Sequence, residues 1–275
     1  MINFEQILSN VRGNVPLVHN ITNYVTVNDC ANILLACGGS PIMSDDAEDV
    51  EDITSICGGL NINIGTLNKN TIPSMFLAGR RANELGHPVL LDPVGAGASK
   101  LRTETAVNLI RDVRFSVIRG NISEIKALAQ GTSSTNGVDA NEADQVNAAN
   151  IDSVISFAKS FSEQTGAIIA ITGPTDIIVD KSRTCLIRNG HPMMSKITGT
   201  GCMLSAMTTA FVTANPEDPF EAVCAAVIAM GLCGEIAHAR LGELDGNSSY
   251  RNYIIDAVYN LTAGQMEEGA KFEIL

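Results

Sequence analysis

The sequence predicts a single α/β domain, residues 1–275, in which helices cover both faces of a mostly parallel sheet. The chain has 275 residues, of which 45% are hydrophobic, enough to fill one large core. Its strand candidates are continuous apolar runs, which is typical of strands buried on both faces. These runs alternate with longer segments of helical spacing, and that order indicates parallel strands joined by helices.

The elements follow from this pattern in chain order. The predicted strands are 41–43, 60–64, 88–92, 115–119, 167–172, 176–179 and 184–187. The predicted helices are 47–57, 68–85, 103–111, 151–164, 200–213, 219–241 and 248–268. A short polar turn separates the last two strands, so we expect an antiparallel hairpin at one edge of the sheet. The polar stretch 130–150 is interpreted as a surface loop with a short helix inside the same domain.

Charge and cysteine content limit the possible functions. The chain has 18 Lys and Arg against 30 Asp and Glu, a net charge of −12, which disfavours binding to nucleic acid or to an anionic membrane surface. Charged residues make up only 17% of the chain, against about 25% in typical soluble domains, so we expect another subunit to cover part of the surface. The start of the chain resembles no signal peptide, the apolar stretch 222–234 is too short to span a bilayer, and the 7 cysteines include no C-x-x-C pair. These features predict a cytoplasmic protein with reduced thiols.

Three predicted strands end in residues that suit a ligand site. One ends in Asp92 before Pro and Gly, the next in Arg119 before Gly-Asn, and a third in Thr172 before Gly-Pro. Parallel α/β folds bind ligands beyond the carboxyl ends of their strands. Gly and Pro also end strands that have no such role, but an acid, a guanidinium and a hydroxyl at matching positions favour a site.

Asn121 and Glu124 allow two interpretations. Asn-x-x-Glu at a helix start is a variant of the capping box, and spacing alone favours that structural role. Glu124 is nevertheless expected within one helical turn of the strand end that carries Asp92. Two carboxylates at one point repel each other unless a cation joins them, and Mg²⁺ is the usual one where phosphates are also bound.

The segment Gly199-Thr200-Gly201-Cys202 carries the strongest local signal. Two glycines directly before a helix let the backbone approach a ligand, and the free N–H groups of the helix start favour an anion. The segment is neither a Walker A loop nor a dinucleotide fingerprint. Cys202 is expected to have a lowered pKa at this helix start, with a small buried apolar side chain as the alternative interpretation.

Several long segments together resemble the hydroxyethylthiazole kinase family, within the ribokinase-like superfamily. They are VHNITNYV, SPIMSDDAEDVEDI, LNINIGTL, VLLDPVGAGAS, VIRGNISEI, ITGPTDIIVD and NGHPMMSKITGTGCMLSA. The resemblance covers nearly the whole chain. It implies a three-layer α/β/α sandwich and a homotrimer whose thiazole site lies at the subunit interface. Gly-Val-Asp-Ala140 departs from the family pattern, within a variable loop.

The resemblance also implies roles for individual residues. Its substrate site comprises Asn23, Met43, Gly65, Thr66 and Gly199, with Gly65 and Thr66 expected to reach the site of a neighbouring subunit. Its ATP contacts are Arg119, Asn121 and Thr172, and its Mg²⁺ ligands are Asp92 and Glu124. Gly199, Thr200, Gly201 and Cys202 match the anion hole, with Cys202 in the position of the base.

The implied reaction transfers the γ-phosphoryl group of ATP to the primary hydroxyl of 4-methyl-5-(2-hydroxyethyl)thiazole in thiamine salvage. Three alternatives stay open at this point. The chain could be a cysteine hydrolase that pairs Cys202 with His191, a regulatory protein that binds nucleotide without turnover, or a kinase for hydroxymethylpyrimidine or another small alcohol.

Overall fold

The computed structural model describes residues 2–132, 146 and 150–275. Most of the predicted loop at 130–150, including Ala140, lies outside these residues. The described chain forms one nine-stranded sheet in the order β2-β1-β3-β4-β5-β6-β7-β8-β9. Its strands are β1 (Leu17–Ile21), β2 (Ser40–Met43), β3 (Gly59–Asn63), β4 (Val89–Asp92), β5 (Val117–Asn121), β6 (Ile168–Thr172), β7 (Asp176–Val179), β8 (Thr184–Ile187) and β9 (Phe272–Ile274).

Helices cover both faces of this sheet. The described helices are α1 (Phe4–Asn14), α2 (Val27–Cys37), α3 (Val50–Ile56), α4 (Thr71–Leu85), α5 (Lys100–Asp112), α6 (Ile122–Thr132), α7 (Ile151–Thr165), α8 (Thr200–Ala214), α9 (Pro219–Ala239), α10 (Asn247–Asn260) and α11 (Ala263–Gly269), with a 3₁₀ helix at Pro192–Lys196. Within β4, Leu90 packs into one hydrophobic core and Leu91 into the other. The predicted three-layer, mostly parallel fold is confirmed.

Strands β1 to β6 are parallel, and β7, β8 and β9 continue the sheet in antiparallel pairs. The carboxyl ends of the six parallel strands therefore lie along one edge of the sheet, where α8 also begins. The predicted hairpin forms as β7 and β8, but its expected place at the edge is wrong, because β9 pairs with the outer side of β8.

Helix α9 contains the apolar stretch 222–234. Its 21 residues are long and apolar enough to cross a membrane, but 83% of its most apolar part is buried inside the structure. It packs against α8 and α10. Its composition is accounted for by its place in the core, as the sequence predicted.

Strand β1 and the break before α11 were not predicted. β1 contains two polar residues, His19 and Asn20, and therefore lacks an apolar run. Both are buried, and His19 is satisfied by the Thr54 hydroxyl and the Ser44 carbonyl, each at 2.9 Å. The predicted helix 248–268 is two helices, since Thr262 and Gln265 form a capping box that starts α11.

Candidate active site

Asp92 lies at the centre of the carboxyl edge and is fully buried. Its Oδ2 accepts hydrogen bonds from Ser205 Oγ at 2.8 Å and from Asn63 Nδ2 at 2.9 Å. Its Oδ1 has no hydrogen-bond partner in the described chain. Burial raises the pKa of Asp92 to about 6, and the charge of Arg119 opposes that rise. A buried carboxylate oxygen without a partner indicates a position built for a ligand.

Arg119, on β5, connects Asp92 at the end of β4 to Thr172 at the end of β6. Its Nη1 lies 3.6 Å from Asp92 Oδ2, and its Nη2 donates to Thr172 Oγ1 at 2.6 Å. Its Nε is buried without a described partner. A Cβ on Gly201 would lie 2.6 Å from Nη1, so only glycine there lets the start of α8 approach the guanidinium this closely. The structure thus brings together the three predicted strand ends and the glycine segment.

The start of α8 presents free backbone donors to the same place. Gly199 is the N-cap, with φ 91°, and no side chain caps the helix. A Cβ on Gly199 would lie 2.7 Å from Thr26 Cγ2, so both the conformation and the contact require glycine. The uncapped amides of the first turn are available to an anion, as the predicted anion site requires.

Cys202, in the first turn of α8, faces two asparagine amides. Asn23 Nδ2 donates to Cys202 Sγ at 3.1 Å, and Asn63 Nδ2 donates to it at 3.3 Å. Burial raises the pKa of the Cys202 thiol, the charge of Asp92 raises it further, and hydrogen bonds from Thr26, Asn23 and Asn63 counteract the rise. The expected lowering of this pKa is therefore wrong, because burial and the charge of Asp92 outweigh the hydrogen bonds.

Glu124 and Asn121 form the capping box that spacing favoured. Asn121 N donates to Glu124 Oε2 and Glu124 N donates to Asn121 Oδ1, both at 2.9 Å. Glu124 Oε1 accepts from Gly95 N at 2.8 Å. Glu124 is close enough to Asp92 to raise the pKa of that carboxyl. The structural role is thus present, and each Glu124 oxygen keeps lone pairs for a further contact.

A cavity of about 670 Å³ opens from this centre along the sheet edge. Its lining includes the polar residues Arg119, Thr172 and Thr200, the backbone of Gly201, and the apolar side chains Val227 and Met230 of α9. A lining with both polar and apolar parts suits a ligand that, like a nucleotide, has phosphates and an apolar base. Asn121 does not line this cavity.

Two smaller cavities lie near the carboxyl ends of β1, β2 and β3. Met43 and Thr66 line one of about 150 Å³, and Gly65 and Thr66 line the other, of about 380 Å³. Tyr24 borders both and has 77% of its surface exposed. Gly65 lies against Asn23, and the predicted substrate residues Asn23, Met43, Gly65 and Thr66 do not line the large cavity.

Sequence reasoning missed Asn63 and Asp176. Asn63 lies directly opposite Asp92 in the β3–β4 register and links that acid to Cys202. The signal available was two asparagines, Asn61 and Asn63, in an otherwise apolar strand. Asp176 lines the large cavity, and its burial raises its pKa to about 7.

The structure separates Cys202 from the imidazole that a cysteine hydrolase would need. The ring of His191 stacks on His238, with centroids 3.5 Å apart, and its Nδ1 accepts from Met193 N at 3.2 Å. Cys202 Sγ instead accepts hydrogen bonds from the amides of Asn23 and Asn63, and no histidine is among its described partners. The geometry argues against the hydrolase alternative.

The residues present fit a magnesium ion. Among the described residues, no group of three or more His, Cys, Asp or Glu could hold a metal by itself. Mg²⁺ bound together with phosphates usually takes only one or two protein carboxylates. The unpartnered Asp92 Oδ1, with Glu124 nearby, supplies that donor set.

Comparison with known proteins decides the family. The model of the hydroxyethylthiazole kinase family matches residues 8–264. The chain belongs to this family. Membership confirms the predicted enzyme class and activity, a kinase for the thiazole alcohol of thiamine salvage.

Individual relatives agree with the family model. The chain is 65% identical to a hydroxyethylthiazole kinase of Clostridium acetobutylicum over 266 residues, which cover 97% of each chain. It is 50% identical to that of Clostridium tetani over 256 residues, 93% of this chain and 92% of the relative. The solved structure of a Pyrococcus horikoshii hydroxyethylthiazole kinase protein superposes with a TM-score of 0.87 at 33% identity, over 99% of this chain and 98% of that one. A pyridoxal kinase from Staphylococcus aureus, 15% identical with a TM-score of 0.61, shows the shared fold.

Proposed function

We propose that this chain phosphorylates the primary hydroxyl of 4-methyl-5-(2-hydroxyethyl)thiazole with ATP, using the carboxyl edge of the sheet as its active site. The observation that carries the proposal is that Cys202 contacts Asn23, one of the predicted substrate residues, while its neighbour Gly201 lines the large cavity. The Cys202 sulfur faces Asn23 and Asn63, and Gly201 lines the large cavity beside Arg119. An alcohol held near Met43 and a triphosphate held near Arg119 would meet at this point.

The protein's part in phosphoryl transfer is mostly positioning and charge stabilisation, because the transition state is loose. Arg119 holds a phosphate oxygen with its guanidinium, which is positioned by its hydrogen bond to Thr172 and for which Gly201 leaves room. The free amides at the start of α8, from Gly199 to Cys202, meet the charge on the transferred group. The acceptor oxygen forms a bond to the γ-phosphorus, the bond to the bridging oxygen breaks, and ADP leaves.

Cys202 takes the proton of the acceptor hydroxyl onto Sγ as the oxygen attacks. The amides of Asn23 and Asn63 donate to this sulfur and stabilise its thiolate form. Asn63 also donates to Asp92 Oδ2 at 2.9 Å, which fixes its amide toward Cys202. The raised pKa of Cys202 keeps most of the thiol protonated at neutral pH, so the base is present in a minor fraction.

Asp92, with Glu124, would hold Mg²⁺ when it is bound, and the ion would then offset the negative charge of the phosphates. The support is the buried Oδ1 of Asp92, which has no described hydrogen-bond partner. Arg119 at 3.6 Å from Oδ2 shares the remaining charge of this acid.

We also propose the homotrimer, with the thiazole site at the subunit interface, as a single-domain cytoplasmic protein. Tyr24 and Val27, exposed to 77% and 37%, line the cavity that contains Met43 and Thr66. Apolar side chains exposed beside an open cavity support contact with another subunit. All seven cysteines are free, which agrees with a reducing location.

A coupled ADP-release assay tests the proposed function. The purified chain is incubated with ATP, Mg²⁺ and a panel of alcohols that includes the thiazole alcohol and hydroxymethylpyrimidine. We expect ADP release to depend on the thiazole alcohol. ATP binding without ADP formation would support the regulatory alternative, and preference for the pyrimidine alcohol would support the other kinase.

A further inference from the structure

Asp176 is an acidic residue in the large cavity that the reaction described above does not use. It is the first residue of β7, next to the end of β6, which carries Thr172. In the register of β7 with β8 it lies opposite Ile187, and the next residues along, Arg188 and Asn189, also line the cavity.

The order of strands at this edge fixes the part of the nucleotide that Asp176 faces. Arg119 on β5 and Thr172 on β6 form the phosphate end of the cavity. Asn189, which follows β8, lies against Gly231 of α9, and Val227 and Met230 of the same helix form the apolar part of the lining, where the base fits. Asp176 on β7 lies between these two ends, so the group that passes over it is the one that joins phosphate to base, the ribose.

The hydrogen bonds of Asp176 leave one oxygen for a ligand. Oδ1 accepts from Gly173 N at 2.9 Å and closes the turn between β6 and β7. Among the described residues, no group donates to Oδ2. The side chain is half-buried and lines the cavity, and burial raises its pKa to about 7. A partly desolvated acceptor with a free oxygen favours a donor from the ligand.

The negative charge of Asp176 determines which group of the ligand can donate to it. A carboxylate repels phosphate oxygens but accepts hydrogen bonds from hydroxyl groups, and an acidic residue that binds ribose hydroxyls is common in nucleotide sites. We propose that Asp176 accepts a hydrogen bond from a ribose hydroxyl of the nucleotide and thereby makes this enzyme selective for ribonucleotides over deoxyribonucleotides. This inference rests on the proposed function in one respect, that the large cavity holds the phosphoryl donor.

The Asp176→Asn substitution separates this role from the structural one. Asparagine keeps an oxygen to accept from Gly173 N, but places an NH₂ donor where Oδ2 was. Thr175→Val is the matched control, because Thr175 lies in the same turn and does not line the cavity. Thermal melting of each variant checks that the fold is retained.

The experiment compares kcat/KM for ATP, 2′-deoxyATP, 3′-deoxyATP and 2′,3′-dideoxyATP at pH 8, where Asp176 is ionised. We expect the unmodified enzyme and Thr175→Val to prefer ATP over the dideoxy nucleotide by about tenfold, or about 1.4 kcal/mol. Asp176→Asn should lower kcat/KM for ATP to the dideoxy value. The two monodeoxy nucleotides identify the hydroxyl concerned. If kcat/KM of the unmodified enzyme is lower for either one than for ATP, the result supports the proposal.

Three results would overturn it: equal use of ATP and dideoxyATP by the unmodified enzyme, an equal loss for both nucleotides in Asp176→Asn, or a gain for both. Calorimetric binding of a non-hydrolysable ATP analogue and its dideoxy form gives the same comparison without turnover. Failure of the proposed function would show as absence of phosphoryl transfer to the thiazole alcohol, whereas failure of this inference would show as a ribose preference that Asp176→Asn leaves unchanged.

Discussion

Replacing Cys202 tests the assignment of the base, because the structure fixes how much thiolate is available. An ordinary thiol has a pKa of about 8.5, and burial together with Asp92 raises that of Cys202. Fewer than about 3 in 100 thiols are therefore ionised at pH 7. An aspartate there would be at least about 90% ionised even if its pKa rose to that of the fully buried Asp92, about 6.

The expected result is a difference in pH dependence. In the parent enzyme, kcat measured with saturating ATP and thiazole alcohol should rise about tenfold per pH unit between about pH 6 and 8, as the thiolate fraction rises. Cys202→Asp should show no such rise and should be at least as fast as the parent from about pH 6 to 7. Cys202→Ala should lose about 10²-fold, the lower end of what a general base contributes. Electrostatics and positioning preserve the remaining rate.

The control is Cys57→Ser, which alters a buried thiol at the end of α3, away from the site. It should keep the parent pH profile. If Cys202→Asp and the parent give the same pH–rate curve, or if alanine costs nothing, the thiol does not take the proton and Cys202 is a packing residue.

Three further predictions concern the two halves of the site. Arg119→Ala should raise the KM for ATP about tenfold or more, because charge-assisted bonds to phosphate are lost. It should change the KM for the alcohol less than about twofold. Equal increases of both KM values in steady-state assays would mean that Arg119 has a structural role. Met43→Ala should raise the KM for the thiazole alcohol several-fold, because about 1 kcal/mol of apolar contact is lost. The KM for ATP should not change. The reverse pattern would mean that the alcohol binds elsewhere. Excess EDTA should abolish ADP release and added Mg²⁺ should restore it, so unchanged turnover in chelator would contradict the roles of Asp92 and Glu124.

The sequence was sufficient to predict the residues whose placement depends only on strand order. Asp92, Arg119 and Thr172 each end an apolar run, and neighbouring parallel strands bring such ends together. Gly199 and Gly201 were predicted from a different signal, because two glycines at the start of a helix form a local pattern. These positions needed no knowledge of side-chain packing.

What could not be predicted depends on register and burial. Asn63 meets Asp92 because of the exact pairing of β3 with β4, which no local pattern encodes. The direction of the Cys202 pKa shift depended on how deeply the thiol is enclosed. Strand β1 was missed because its polar His19 is satisfied by Thr54 and Ser44, residues distant in the chain.

The identity of the phosphorylated product tests the central claim most directly. The enzyme is incubated with ATP, Mg²⁺ and equal concentrations of the thiazole alcohol and hydroxymethylpyrimidine, and the products are identified by ³¹P NMR and mass spectrometry. The account predicts one phosphate monoester, on the ethyl hydroxyl of the thiazole, formed in equal amount with ADP. A phosphorylated pyrimidine as the main product, or ADP without any phosphate ester, would contradict it.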